Sequence, residues 1–150
     1  MSIITIGDCV VDKYIDINKE FIGGSGLNTA VILKKYFVLE SEMMGIIGND
    51  NNGEKILNYL KKYNFDLSKI KVLHGKTAVA YIENIGDDYR IKKVKQGVKG
   101  KYKFKKQDMF CLVDHNYLDL LINQFNLKNK IFGIVDNRKD NKINDLKFKH

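Results

Sequence analysis

The chain has 150 residues, a net charge of +8 and 44% hydrophobic residues, which suits one domain or one piece of a larger domain and excludes a disordered chain. The basic charge invites a nucleic-acid interpretation. Sixteen of the 26 basic residues lie between Arg90 and Lys149, however, and only Arg90 and Arg138 are arginines. Because arginine is the residue that recognises phosphates and bases bidentately, this pattern argues against nucleic acid as a partner.

The cysteines and the N-terminal residues bound the cellular setting. Cys9 and Cys111 are too few and too far apart for a disulfide framework or a zinc site. Asp8 and Asp12 interrupt the only apolar run near the N-terminus, which argues against a signal peptide. No run approaches the ~20 apolar residues of a membrane span. We therefore expect a cytoplasmic protein with no bound metal and no membrane partner.

The first half of the chain predicts alternating strands and helices. Residues 2–11 are mostly apolar, which is typical of a buried strand, whereas residues 14–18 alternate in polarity like a half-exposed strand. Helical spacing of apolar residues predicts helices over 28–37 and 53–63, and short apolar runs predict strands over 42–47 and 70–73.

The second half predicts a hairpin followed by further buried strands. Residues 77–84 and 90–94 read as two strands joined through Gly86-Asp87-Asp88. Buried strands are predicted within 107–114 and 130–135, with a helix over 117–125 between them. Apolar strands alternating with helices predict an α/β fold with a mostly parallel sheet. The pieces near 14–18 and 77–94 do not fit inside that sheet, so we expect a small separate sheet covering one end of it.

The strongest candidate site combines Asp12 with the segment Gly23-Gly24-Ser25-Gly26-Leu27-Asn28. A carboxylate at the end of a buried strand lies at the rim where open α/β sheets bind ligands. Glycines before a helix let the backbone approach a ligand and expose N–H donors, and Asn28 offers both a donor and an acceptor. This set suits a polyhydroxylated ligand. The alternatives are a plain tight turn at the glycines and a loop cap at Asp12.

The glycine spacing also excludes other ligand classes. It does not match the phosphate-binding loop G-x-x-x-x-G-K-[ST]. It completes no G-x-G-x-x-G, so a dinucleotide fingerprint is absent.

Four segments in this order resemble the PfkB (ribokinase-like) carbohydrate kinases. They are Gly7-Asp8-Cys9-Val10-Val11-Asp12, Gly23-Gly24-Ser25-Gly26-Leu27-Asn28-Thr29-Ala30, Gly45-Ile46-Ile47-Gly48-Asn49-Asp50 with Gly53, and Asn64-Phe65-Asp66-Leu67-Ser68. Within the family the chain is most similar to fructoselysine (fructosamine) 6-kinases. That similarity is carried by Thr5-Ile6-Gly7-Asp8, Asn18-Lys19-Glu20-Phe21, His74-Gly75-Lys76-Thr77-Ala78 and Gln96-Gly97-Val98.

The resemblance implies a Rossmann-like ribokinase fold with a body of residues 1–12, 23–76 and 96–150 and a β lid of residues 13–22 and 77–95. It implies a small-molecule sugar or fructosamine as ligand and a homodimer through the lid strands. The substrate-binding residues that it implies are Asp12, Gly23, Gly24, Ser25, Asn28, Arg90 and Gly97. Two of these have alternatives: the family often has Lys or Ala where Ser25 stands, and Arg90 also suits a solvated hairpin position.

The catalytic residue of the resembled family is missing from these 150 residues. The family uses the Asp of a Gly-Ala-Gly-Asp motif as base when the sugar hydroxyl attacks ATP, and no such motif occurs in the chain. ATP and Mg²⁺ are thus implied for the complete family enzyme but are not expected to bind fully here. We expect one of three situations: a fragment of a longer gene product, a sugar-binding half that is inactive alone and pairs with a separately encoded, missing C-terminal half, or a non-catalytic sugar-binding or dimerisation module.

Overall fold

A computed structural model of the protein describes residues 3–37, 40–101, 110–113 and 131–134. This part contains nine strands, two α-helices and a short 3-10 helix, Leu67–Lys69. The strands are β1 (Ile3–Ile6), β2 (Val10–Tyr14), β3 (Lys19–Gly23), β4 (Ser41–Gly48), β5 (Ile70–Leu73), β6 (Ala78–Ile85), β7 (Asp88–Lys95), β8 (Phe110–Val113) and β9 (Ile131–Ile134). The helices are α1 (Ser25–Tyr36) and α2 (Asn51–Lys62).

Five parallel strands form the larger sheet, in the order β5-β4-β1-β8-β9. In the centre, Ile4 of β1 pairs with Glu42 on one side and with Cys111 on the other. Parallel neighbours need crossover connections, and α1 and α2 lie in the chain before β4 and β5 respectively. The predicted α/β fold with a parallel sheet is confirmed.

The core lies between the larger sheet and the helices. Ile4, Thr5 and Ile6 are at most 1% exposed, so both faces of β1 are covered, as is usual for a strand in a parallel sheet. A cluster of almost completely buried apolar residues joins β4 to the two helices. They include Leu27, Ala30, Met43, Ile47, Ile56 and Leu60.

Four strands form a separate small sheet, in the order β3-β2-β6-β7. β2 pairs antiparallel with β3 and parallel with β6, and β6 and β7 form an antiparallel hairpin. The hairpin turns at Gly86, whose φ of 61° lies in the left-handed region that glycine enters without steric cost. The predicted hairpin and the predicted separate sheet are confirmed.

The prediction of one strand over residues 2–11 is wrong. β1 ends at Ile6, residues 7–9 leave the larger sheet, and β2 begins at Val10 in the small sheet. The apolar run continues across this break because Cys9 and Val10 are themselves buried, at 3% and 9% exposure. The apolar pattern indicates which side chains are buried, but it does not indicate which of the two sheets the backbone joins.

The prediction of a strand over residues 14–18 is also wrong, because residues 15–18 form the turn between β2 and β3. Asn18 has a φ of 49°, a left-handed conformation that Asn adopts more readily than most residues. The apolar alternation was misleading because Ile15 and Ile17 are 49% and 47% exposed turn residues.

The first helix begins at Ser25, three residues before the predicted start at residue 28. Because glycine is a poor helix former, the predicted helix began after Gly26. In the structure a Cβ at Gly26 would lie 2.7 Å from the Cα of Gly7, so close packing requires glycine inside the first turn. The second helix lies within two residues of its prediction.

The last two strands fall within the predicted segments 107–114 and 130–135. The predicted helix over 117–125 lies outside the described residues. Among the helices of the described ranges, none combines the length and the apolar character needed to cross a membrane.

Candidate functional site

A cavity of about 1140 Å³ lies where the larger sheet, the start of α1 and the small sheet meet. Asp8 and Cys9, which follow β1, line one side, and Gly24, Ser25 and Asn28 line another. The small sheet contributes Asp12 and a group of apolar and aromatic side chains. That group includes Tyr14, Ile82, Tyr89, Ile91 and Val94.

Strand register explains why these small-sheet residues face the cavity together. Asp12 pairs with Ala80, and Tyr14 pairs with Ile82, which in turn pairs with Ile91. Residues directly opposite one another in a sheet share a face, so every second position of β2 lies on the cavity side. The sequence alone did not identify this apolar surface, because its members lie on strands whose pairing only the structure supplies.

Asp12 is the central acidic group of the cavity. Gly23 leaves room for it, since a Cβ at Gly23 would overlap the Asp12 carboxylate. Burial raises the pKa of Asp12 to about 6, because the charged carboxylate is partly removed from water. The residue lies in β2 of the small sheet, and not at the end of the first buried strand as predicted. At neutral pH it presents a carboxylate that accepts hydrogen bonds from ligand hydroxyls.

The start of α1 supplies backbone donors beside that carboxylate. Gly24 is the N-terminal cap of the helix and, as glycine, has no side chain that could accept a hydrogen bond from the first-turn N–H groups. Its φ of 109° and the overlap that a Cβ would make with the Asp8 carbonyl oxygen both require glycine. Ser25 and Asn28 occupy the first turn, where N–H groups and the helix dipole favour oxygen-rich ligands. Asn28 is exposed on the cavity side.

Of the two remaining predicted residues, Gly97 lines the cavity and Arg90 does not. Gly97 lines the cavity, and a Cβ there would lie 3.0 Å from the carbonyl oxygen of Lys76. Arg90 pairs with Glu83, and it does not line the cavity, although its neighbours Tyr89 and Ile91 do. The structure thus brings together Asp12, Gly24, Ser25, Asn28 and Gly97, with Gly23 behind them, and leaves Arg90 on the opposite face of β7.

Comparison with known proteins identifies a family for the chain. The family model described as "pfkB family carbohydrate kinase" matches residues 10–126 of the 150. The chain belongs to the PfkB family of carbohydrate kinases. The resemblance read from the four glycine-containing and acidic segments is confirmed.

Two relatives of this PfkB chain have related names. Fructosamine kinase FrlD of Bacillus subtilis (strain 168) is 32% identical over 122 residues, which cover 79% of this chain and 43% of that protein. Fructoselysine 6-kinase of Escherichia coli (strain K12) is 28% identical over 121 residues, which cover 81% of this chain and 46% of that protein. The chain therefore spans somewhat less than half the length of these relatives.

Solved structures show the same fold at low sequence identity. Halothermothrix orenii fructokinase is similar with a TM-score of 0.71 and 16% identity, over 89% of this chain and 56% of that one. Methanocaldococcus jannaschii nucleoside kinase, described as an archaeal member of the ribokinase family, gives a TM-score of 0.69 and 20% identity, over 89% and 51%. The predicted ribokinase-like fold is confirmed.

Proposed function

We propose that this PfkB chain binds a sugar or a fructosamine such as fructoselysine in the cavity between its two sheets, as the sugar-binding half of an ATP-dependent carbohydrate kinase. The observation that carries the proposal is the convergence of the Asp12 carboxylate with Gly24, Ser25 and Asn28 on one cavity. Carboxylate and amide groups bind hydroxyls in pairs, and backbone N–H groups donate to the remaining oxygens. The names of the two relatives support a fructosamine.

We propose distinct roles for the site residues. Asp12 and Asn28 bind sugar hydroxyls, Ser25 and the Gly24 backbone contact the sugar from the helix start, and Gly23 leaves space for Asp12. Gly97 lines the cavity where the chain returns from the hairpin. Arg90, which is exposed beside two lining residues, contacts substrate only at the cavity rim or stabilises the hairpin.

We propose that the small sheet acts as a lid of residues 13–22 and 77–95 over a body of residues 1–12, 23–76 and 96–150. Support comes from its separate strand order and from the cavity beneath it. The strand β2 begins at Val10, so the sheet itself extends three residues beyond the proposed lid boundary.

We propose that the 150 residues alone do not transfer phosphate. They contain no Gly-Ala-Gly-Asp motif, and within the described ranges no three His, Cys, Asp or Glu side chains are grouped to hold a metal ion. ATP and Mg²⁺ would bind to the complete family enzyme, in which that motif is present. An ADP-release assay with fructoselysine tests this: no turnover is expected from the chain alone, and robust turnover would contradict it.

The cytoplasm is the compartment that this proposal requires. ATP is available there, and a reducing environment suits the free thiol of Cys9. Burial raises the pKa of Cys9 to about 12, which keeps the thiol protonated and unreactive in the core.

Calorimetric titration tests the proposed sugar site. Fructoselysine, ribose and adenosine are titrated into the chain and into an Asp12→Ala variant, with Asp87→Ala in the exposed hairpin turn as a matched control. We expect the sugar to bind the chain and the control, and binding to disappear in Asp12→Ala. Equal binding to all three proteins would refute a site at Asp12.

A second candidate function, a dimerisation module, rests on exposed apolar side chains of the small sheet. Phe21, Tyr89, Ile91 and Val94 are between 43% and 59% exposed, and all of them except Phe21 line the cavity, so a second copy bound here would also border the cavity. We propose that a second copy covers this face. Sedimentation of the chain is expected to show a dimer that Ile91→Glu converts to a monomer, whereas Ile17→Glu in the exposed β2–β3 turn leaves it intact. A monomeric chain would exclude this role.

A further inference from the structure

A buried polar cluster joins the larger sheet to the first strand of the hairpin. Thr77, which is 3% exposed, lies directly before β6. Its hydroxyl Oγ1 donates to Oδ1 of Asp50 at 2.7 Å and accepts from the N–H of Gly48 at 2.9 Å. The Thr77 N–H lies 3.3 Å from both carboxylate oxygens of Asp50. One side chain therefore ties the end of β4 to the beginning of β6.

Asp50 does more in this cluster than begin a helix. It is the N-terminal cap of α2 and accepts the Gly53 N–H at 3.1 Å, as a capping Asp usually does. Burial alone would raise the pKa of Asp50, but the hydrogen bonds from Thr77 and Gly53, together with the charge of Lys76, lower it below its usual value. A capping role needs only the Gly53 contact, so the Thr77 contacts require another explanation.

The other side of the same segment holds the chain that leaves the hairpin. The Val98 N–H donates to the Lys76 carbonyl oxygen at 2.8 Å. Gly97 packs so closely that a Cβ there would lie 3.0 Å from the carbonyl carbon of Thr77. Gly97 and Ala78 line the cavity, whereas Asp50 and Thr77 do not. Both ends of the hairpin are thus fixed at one point, next to the cavity.

We infer that Asp50 and Thr77 form a positioning pair that sets the orientation of the β6–β7 hairpin over the cavity. The pair acts through Ala78 and Gly97, which adjoin it, and touches no ligand itself. Without the Thr77 hydroxyl, the segment just before β6 would lose its side-chain hydrogen bonds to Asp50 and Gly48. The two ends of the hairpin, which meet at this segment, would then be held less firmly against the larger sheet. The effect on sugar affinity rests on the proposed function, whereas the effect on the hairpin does not.

Matched threonine substitutions separate positioning from ordinary stability. Thr77→Val removes the hydroxyl and keeps the shape of the side chain, and Thr77→Ser keeps the hydroxyl. Thr5→Val is the control: Thr5 is also fully buried, and its Oγ1 donates to the Glu42 carbonyl oxygen at 3.2 Å within the larger sheet. Each valine variant removes one buried hydroxyl, but only one of them adjoins the hairpin.

Amide hydrogen exchange is the first measurement. We expect Thr77→Val to increase exchange of β6 and β7 amides by about tenfold or more, because the hydrogen bond to a charged group is lost locally. The amides of β4 should be unchanged apart from that of Gly48, which loses its own hydrogen bond to Thr77 Oγ1. Thr77→Ser restores the slow rates, and Thr5→Val leaves the hairpin protected. Unchanged rates, or equal increases in β4 and the hairpin, would overturn the inference.

Titration with fructoselysine is the second measurement. We expect Thr77→Val to weaken binding by about tenfold while Thr5→Val leaves the affinity unchanged. Equal weakening by the two variants would also overturn the inference. Absence of binding to the unsubstituted chain would refute the proposed sugar site, and hydrogen exchange then decides the positioning role by itself.

Discussion

At the scale of single residues, the geometry of the site depends on two glycines, because a side chain at either position would collide with a neighbouring group. Gly23 makes room for the Asp12 carboxylate, and Gly24 allows the backbone to pass the Asp8 carbonyl oxygen. That Asp12, Gly24, Ser25 and Asn28 lie together at one cavity was predictable from sequence, because the glycines and the helix start are local features of the chain. The position of Asp12 in the small sheet was not predictable, because it depends on where the chain changes sheets.

Substitution of Asp12 changes how stability depends on pH. The pKa of Asp12 is raised from 3.8 to about 6 in the folded chain, so the unfolded chain releases its proton at lower pH. Folding stability therefore falls as the pH rises from about 4 to about 6. Asp12→Asn removes this loss, so the variant is expected to gain stability over the wild type across that interval and to keep the gain at higher pH. Urea unfolding at several pH values measures it, and a pH-independent difference would contradict the burial of Asp12.

Substitution of Gly24 adds backbone strain to a steric clash, and substitution of Gly86 measures backbone strain alone. Gly24→Ala forces an L-residue to a φ of 109° and places a methyl group against the Asp8 carbonyl oxygen. We expect a loss of about 3 kcal/mol in the free energy of unfolding. Gly86→Ala carries only the left-handed backbone cost, since no heavy atom lies within 4 Å, and should lose about 1 kcal/mol. Equal losses in urea unfolding would show that the turn is not closely packed.

At the scale of elements, predictions succeeded where side-chain period and strand length agreed. The strand β5 was predicted with its observed bounds, Ile70–Leu73, and β4 to within one residue at each end. Predictions failed at the first two strands, because a continuous apolar run does not encode a change of sheet. The start of α1 was also misplaced, since glycine within its first turn is required by packing and not by helix propensity.

Because residues 15–18 form a turn and not a strand, we expect alanine substitutions at Ile17 and at the buried Ile47 to change the free energy of unfolding by very different amounts. Ile47 in β4 is fully buried, whereas Ile17 in the turn is 47% exposed. Ile47→Ala is expected to cost about 2–5 kcal/mol, because it leaves a cavity in the core. Ile17→Ala is expected to stay within about 0.5 kcal/mol of the wild type. Urea unfolding checks both, and a large cost at Ile17 would restore the half-exposed strand that the alternating pattern predicted.

At the scale of the whole molecule, two sheets of different construction enclose one cavity. Asp8 and Cys9 line the cavity just after the central strand of the parallel sheet, and the small sheet supplies Asp12 and an apolar face. The sequence predicted both sheets, since the hairpin pattern within residues 77–94 differs from the apolar runs of the buried parallel strands. It did not predict that β2 belongs to the small sheet or that Tyr14, Ile82 and Ile91 share a face, because register is a property of paired strands.

The central claim is that the cavity at the start of α1 is the sugar site, and an NMR titration of the ¹⁵N-labelled chain with fructoselysine tests it most directly. We expect saturable shifts of the backbone amides of Gly24, Ser25, Asn28 and Gly97, with little change at Lys61 and Lys62 at the far end of α2. The shifts should be absent in Asp12→Ala. Saturable shifts confined to other residues, or binding that leaves these four amides unchanged, would contradict the account.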